Sequence, residues 1–66
     1  MAVTINLKQI RKEQNHHQKD IASAVGTSAR TISNIEKGQY CPSLETALRL
    51  AKYLKVRVED VFVLEE

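Results

Sequence analysis

Four polar side chains in the segment "TSARTISNIEKG", Arg30, Ser33, Asn34 and Lys37, are spaced so that a helix would turn them the same way. On a wheel of about 100° per residue with Ile32 at zero, all four fall between about 100° and about 200°. Ile35 and Ser28 fall opposite them, at about 300° and about 320°, and are expected to face a core. Arginine can donate to both O6 and N7 of guanine, asparagine pairs with the N6 and N7 edge of adenine, and serine or lysine can serve a base or a phosphate. The row contains no acid. It reads equally well as a solvated helix surface, which most polar helix faces are, so the surrounding elements have to decide.

Other chemistry finds little footing. No glycine-rich phosphate loop, metal-ligand set or carboxylate pair in an evident cleft can be assembled from the chain. His16 and His17 read as loop histidines, because a zinc site takes about three or four ligands and only Cys41 remains to join them. Cys41 has no neighbouring thiol and reads as a half-buried spectator. The expectation is a non-enzyme without metal or cofactor, and with no evident pocket for a small-molecule ligand.

A chain of 66 residues makes one small domain, residues 1–66, and hides only about 60% of the surface exposed by its unfolded form. With one cysteine and three aromatic residues, neither a disulfide framework nor a four-cysteine zinc cage can add stability. Helix packing and self-association are the remaining sources. The net charge of +2 is weak, but it is unevenly placed. Residues 1–57 carry all ten Lys and Arg against four acids, for +6, and the last nine residues carry Glu59, Asp60, Glu65 and Glu66, for −4. A basic body with an acidic end can face a polyanion. No stretch resembles a signal peptide or approaches the roughly 20 apolar residues of a membrane span, so a cytoplasmic protein is expected.

Punctuation divides the chain. Asn6 with Gln9 reads as a capping box opening a first helix that buries Leu7 and Ile10 and runs to about Gln14. Asn15 suits a left-handed helix end. A second helix runs from about Gln18 to Val25 with Ile21, Ala22 and Val25 on one face, and small Ala22 permits close approach of another helix. Gly26 can turn the chain at positive φ, Thr27 or Ser28 can cap a third helix, and Gly38 ends it just after Lys37. Beyond the loop "QYCP", Ser43 caps a fourth helix in which Leu44, Ala47, Leu48, Ala51 and Leu54 recur at helical spacing. Val58, Val61 and Phe62 form a last amphipathic turn. "AVTI" and "FVLE" at the two ends read as short strands.

A short helix, a tight glycine turn and a second helix make the helix-turn-helix unit whose second member enters the major groove. The segment "HQKDIASAVGTSARTISNIEKGQYCPSLETALRLAKYLKVRVEDVF" resembles the Cro and lambda-repressor class of DNA-binding domains, the xenobiotic-response-element family, across roughly residues 7–62. Gln18, "IA" at 21–22, Gly26, "TIS" at 31–33, "IEKG" at 35–38 and "PSLETALRLAKYL" from Pro42 carry the likeness. The length also resembles the short stand-alone dimeric repressors of the class, such as the cytolysin-operon repressor. The resemblance implies an all-α, five-helix fold with a helix-turn-helix unit at about 18–37, and the terminal strands would add a two-strand β pair.

By the same resemblance, Ala29, Arg30, Ser33 and Asn34 lie along the bases, with Arg30 and Asn34 reading them and Ala29 able to touch only a thymine methyl. Arg11, Gln18, Ser28, Lys37, Gln39 and Tyr40 become phosphate contacts. Glu36 becomes a structural acid that pairs with Arg11 and orients it. Two departures matter. His16 and His17 stand where the family has an apolar residue and then Ser or Thr, so the second helix should be poorly capped. Lys55 stands where the family often has glycine, which calls for a lysine at positive φ.

The combined expectation is a homodimeric repressor that binds a pseudo-palindromic double-stranded DNA operator and has no membrane partner. Leu50, Tyr53, Val61, Val63 and Leu64 are the expected dimer contacts, being apolar beyond what one small core needs. The competing reading is a protein-interaction module of the same fold, with an antitoxin or antirepressor type of partner.

Overall fold

The computed structural model describes residues 2–65. Its elements are β1 (Ala2–Ile5), α1 (Leu7–Glu13), α2 (Gln18–Val25), α3 (Ala29–Glu36), α4 (Leu44–Leu54), α5 (Val58–Val61) and β2 (Phe62–Glu65). The expected mostly helical class, the five helices and the terminal strand pair are all present. No helix among the described residues is long and apolar enough to cross a membrane.

Local chemistry starts and stops most of the helices where the residue types require. The Ser28 side chain accepts from the Thr31 amide at 3.2 Å, and Ser43 does the same for Thr46 at 3.2 Å. Each bond satisfies one of the amides left unpaired at a helix start. His17 makes no such bond at the start of α2, the weak cap its side chain predicts. Gly26 and Gly38 take φ of 80° and 75°, and Asn15 ends α1 at φ 60°.

The capping box at α1 does not form. Asn6 instead donates from its amide side chain to the Asp60 carbonyl at 3.2 Å and from its backbone N–H to the Val61 carbonyl at 2.8 Å. Gln9 turns to Glu13. The closure of the N-terminal segment onto α5 therefore takes the side chain that a local cap would have used. Glu59 lies in the first turn of α5, and its own backbone amide, followed by Arg57, holds its carboxyl below the ordinary range.

Leu7, Ile21, Val25, Ile32, Ile35 and Leu54 meet in one core with Leu50, Val61 and the small Ala22. Burying each large aliphatic side chain contributes about 1.5–3 kcal/mol. α2 packs against both α3 and α4, and Ala22 is buried as its size allows. β1 and β2 pair antiparallel, with Val3 opposite Leu64 and Ile5 opposite Phe62. A two-strand ribbon is marginal alone. Here Ile5 and Phe62 pack it onto the core, and Thr4 donates to the Glu65 carboxylate at 2.8 Å.

Three packing expectations are corrected. α4 turns Ala47, Leu50, Ala51 and Leu54 inward, while Leu44 and Leu48 stand exposed. Its apolar residues cover an arc wider than one stripe, and contact with α2 and α5 selects the inward half. Ser28 is exposed rather than core-facing, because a cap residue with extended φ of −103° lies off the helical wheel. Cys41 is exposed rather than half-buried.

Lys55 ends α4 at φ 59°. A side chain bearing Cβ is disfavoured there by about 1–2 kcal/mol, part of which glycine gives back in chain entropy. Lys55→Gly is therefore expected to raise stability by about 1 kcal/mol. Urea unfolding of the two proteins checks it, and an unchanged midpoint would contradict the strain.

Candidate nucleic-acid interface

The turn between α2 and α3 is made by the backbone. The Gly26 and Thr27 amides both donate to the Ala22 carbonyl, and the left-handed φ at Gly26 redirects the chain. A Cβ built there would meet only the far end of the Arg49 side chain, at 3.7 Å. Conformation rather than space is thus what calls for glycine at this turn. α3 then buries Ile32 and Ile35 and turns its polar row outward. Arg30 and Lys37 are exposed, and Ala29, Ser33 and Asn34 are half-buried.

The end of α3 is fastened by one acid. Glu36 accepts from Arg11 Nε at 2.7 Å and from its Nη2 at 3.3 Å, and also from Gln18 Nε2 at 2.9 Å. The Arg11 and Glu36 side chains are only 13% and 4% exposed. A fork-to-fork contact of this kind fixes orientation as well as supplying energy. Arg11 also donates to the His16 carbonyl at 3.3 Å, so a single cluster ties α1, the start of α2 and the end of α3 together.

This geometry refines the place of Gln18. One of the two N–H donors of its amide goes to Glu36, which leaves one donor beside the uncapped N-terminus of α2. A helix start with free amides favours an anion. Arg11, Lys12, Asn15, His16 and His17 border an open cleft at the same corner. Lys12 and His17 were not among the sequence candidates. Lys12 adjoins Arg11 and His17 adjoins Gln18 along the chain, and the return of the chain at Asn15 brings both to one cleft.

Among the described residues the ion pairs are Arg11 with Glu36, Arg49 with Glu45 and Arg57 with Glu59. None engages Arg30 or Lys37, so the cations of the α3 row are not neutralised from within. Gln39 and Tyr40 are exposed on the loop that follows. No group of three metal-ligating side chains occurs among the described residues. The His16 ring instead packs on Tyr53 at 5.1 Å and bonds the Gln14 side chain at 3.1 Å.

Two expected dimer contacts are excluded by burial. Leu50 and Val61 are 0% exposed, enclosed in the chain's own core, and a side chain with no free surface cannot meet a second copy. Tyr53 and Val63 are half-buried, and Leu64 is exposed.

A helix-turn-helix family model matches residues 7–61. The chain belongs to the helix-turn-helix family. Among its relatives, an uncharacterized HTH-type transcriptional regulator of Methanocaldococcus jannaschii is 45% identical over 60 residues, covering 91% of each chain. A second, from Bacillus subtilis, is 40% identical over 60 residues with the same coverage. The crystal structure of the P22 c2 repressor in complex with a synthetic operator superposes with a TM-score of 0.78, at 28% identity and over 82% of each chain. This helix-turn-helix protein is accordingly a DNA-binding transcriptional regulator with a lambda-repressor-like fold, in a family of regulators rather than enzymes.

Proposed function

We propose that the protein is a sequence-specific repressor that binds a pseudo-palindromic operator as a homodimer, with α3 of each copy in successive major grooves about 34 Å apart. The observation that carries this reading is the α3 row itself. Arg30 and Lys37 are without an internal acid partner among the described residues, on a helix held by the Arg11–Glu36–Gln18 cluster. Arg30 and Asn34 read base edges, Ser33 assists, and Ala29 fits a thymine methyl. Arg11, Gln18, Ser28, Lys37, Gln39 and Tyr40 hold the sugar-phosphate backbone. The similar P22 c2 repressor was crystallised in complex with a synthetic operator, which supports an operator as the partner. Occupying DNA near a promoter would exclude polymerase, so repression is the output.

Base contacts and phosphate contacts fail differently. Arg30→Ala is expected to lose about 1–3 kcal/mol of discrimination at one base position, whereas Gln18→Ala weakens binding to all sequences alike. Titrating both variants against sites selected by the wild-type protein, and against single-base variants of those sites, separates the two. An Arg30→Ala protein with unchanged base preference would contradict the readout assignment.

A further inference from the structure

His17 holds the cap position of α2 in an extended conformation, φ −93° and ψ 152°, and its side chain makes no bond to the helix it opens. A serine or threonine there would turn back onto an amide of α2. The imidazole is exposed instead, on a cleft of about 370 Å³ that it shares with Arg11, Lys12, Asn15 and His16. None of these lining residues is an acid. The carboxylates on the surrounding elements are placed elsewhere: Glu36 of α3 is taken by Arg11 and Gln18, Glu13 of α1 accepts from Gln9, and Asp20 of α2 lies outside the lining. α4 contributes Tyr53, against which His16 packs. The two histidines therefore differ. His16 is half-buried, with its ring on Tyr53 and one nitrogen on the Gln14 side chain, so His17 is the imidazole left free to meet a ligand.

We propose that His17 is a proton-dependent phosphate contact, and that the protein therefore holds DNA more tightly as pH falls through the range in which histidine takes up its proton. The inference rests on the operator-binding reading and adds a regulation to that same site. Histidine is the side chain whose ordinary charge change falls between about pH 5 and 8. A neutral imidazole can donate to a phosphate, but a charge-assisted bond is about twice as strong. Arg11, Lys12 and a charged His17 repel one another across the cleft, whereas a phosphate seated among them attracts all three. The remaining Gln18 donor and the uncapped first amides of α2 add neutral donors at the same corner. Protonation of His17 favours the complex over the free protein, so affinity rises as pH falls and is lost again as pH rises.

Fluorescence anisotropy of a labelled DNA fragment, selected by the wild-type protein, tests this between about pH 6 and 7.5, a range that leaves ordinary carboxylates charged and thiols protonated. Wild-type affinity is expected to rise toward the lower pH by about threefold for each protomer, the size of an exposed charge pair, and so by about tenfold for a two-copy complex. The slope of log affinity against log salt should steepen by about 0.9 for each phosphate gained, with base preference unchanged. His17→Gln keeps a neutral donor and should bind with one affinity across the range. His17→Lys carries a fixed charge and should bind more tightly than His17→Gln at every pH. His16→Gln, folded by circular dichroism, should keep the rise. A wild-type affinity that does not change with pH would overturn this inference and leave the operator reading standing. So would a rise that survives in His17→Gln, or one that is lost in a folded His16→Gln. A protein that binds no DNA at any pH overturns the operator reading as well.

Discussion

Glu36→Ala is expected to destabilise the protein by about 3–5 kcal/mol, the largest loss foreseen for any single polar side chain here. Its carboxylate is nearly enclosed and receives donors from two elements, Arg11 and Gln18. Removal would leave the Arg11 guanidinium largely out of water with only the His16 carbonyl to bond. An exposed ion pair would lose no more than about 1 kcal/mol, so urea unfolding discriminates sharply. A change below that figure would show the cluster to be a surface ornament. Replacing both partners, as in Arg11→Met with Glu36→Leu, should restore much of the stability, because well-packed apolar groups can substitute for a buried pair. The double variant should nevertheless bind DNA more weakly than wild type, since Arg11 would no longer reach a phosphate. Recovery of stability together with full DNA affinity would confine Arg11 to a structural role.

Leu50→Ala is expected to cost about 2–5 kcal/mol, from lost burial and the cavity left behind. Leu50 falls outside the periodic set of α4 and reads in the sequence as a surplus apolar residue for a contact between copies, and the structure places it at 0% exposure in the core. The two placements predict different behaviour. A core leucine lowers the stability of the monomer itself, so the loss is the same at every protein concentration. An interface leucine would weaken association and leave the monomer as stable as before. Urea titrations of the wild-type and Leu50→Ala proteins at low and high protein concentration decide between them.

Much of the site could be read along the chain because its geometry is local. Gly26, Ser28 and Gly38 set the ends of α2 and α3 through backbone conformation and one side-chain cap, all within a few residues. The outward turn of Arg30 and Lys37 follows from helical spacing once Ile32 and Ile35 are inward. The pairing of Glu36 with Arg11 was implied by family likeness, not by spacing, because the partners sit on different helices. Likeness did not show that Gln18 would share the same carboxylate, which halves the donors its side chain can offer a phosphate.

By itself the sequence determined the order and limits of the helices, the turn that mounts α3 and the residue types on its outer face, since each depends on neighbours a few positions away. Only the tertiary structure decided which way α4 rolled, that Asn6 would bond α5 rather than cap α1, and that Leu50 would be hidden while Leu44 and Leu48 stood exposed. Periodicity gives the angles between side chains on one helix. It does not give the direction of the core when apolar residues span a wide arc, and that direction is set by the elements that pack against it.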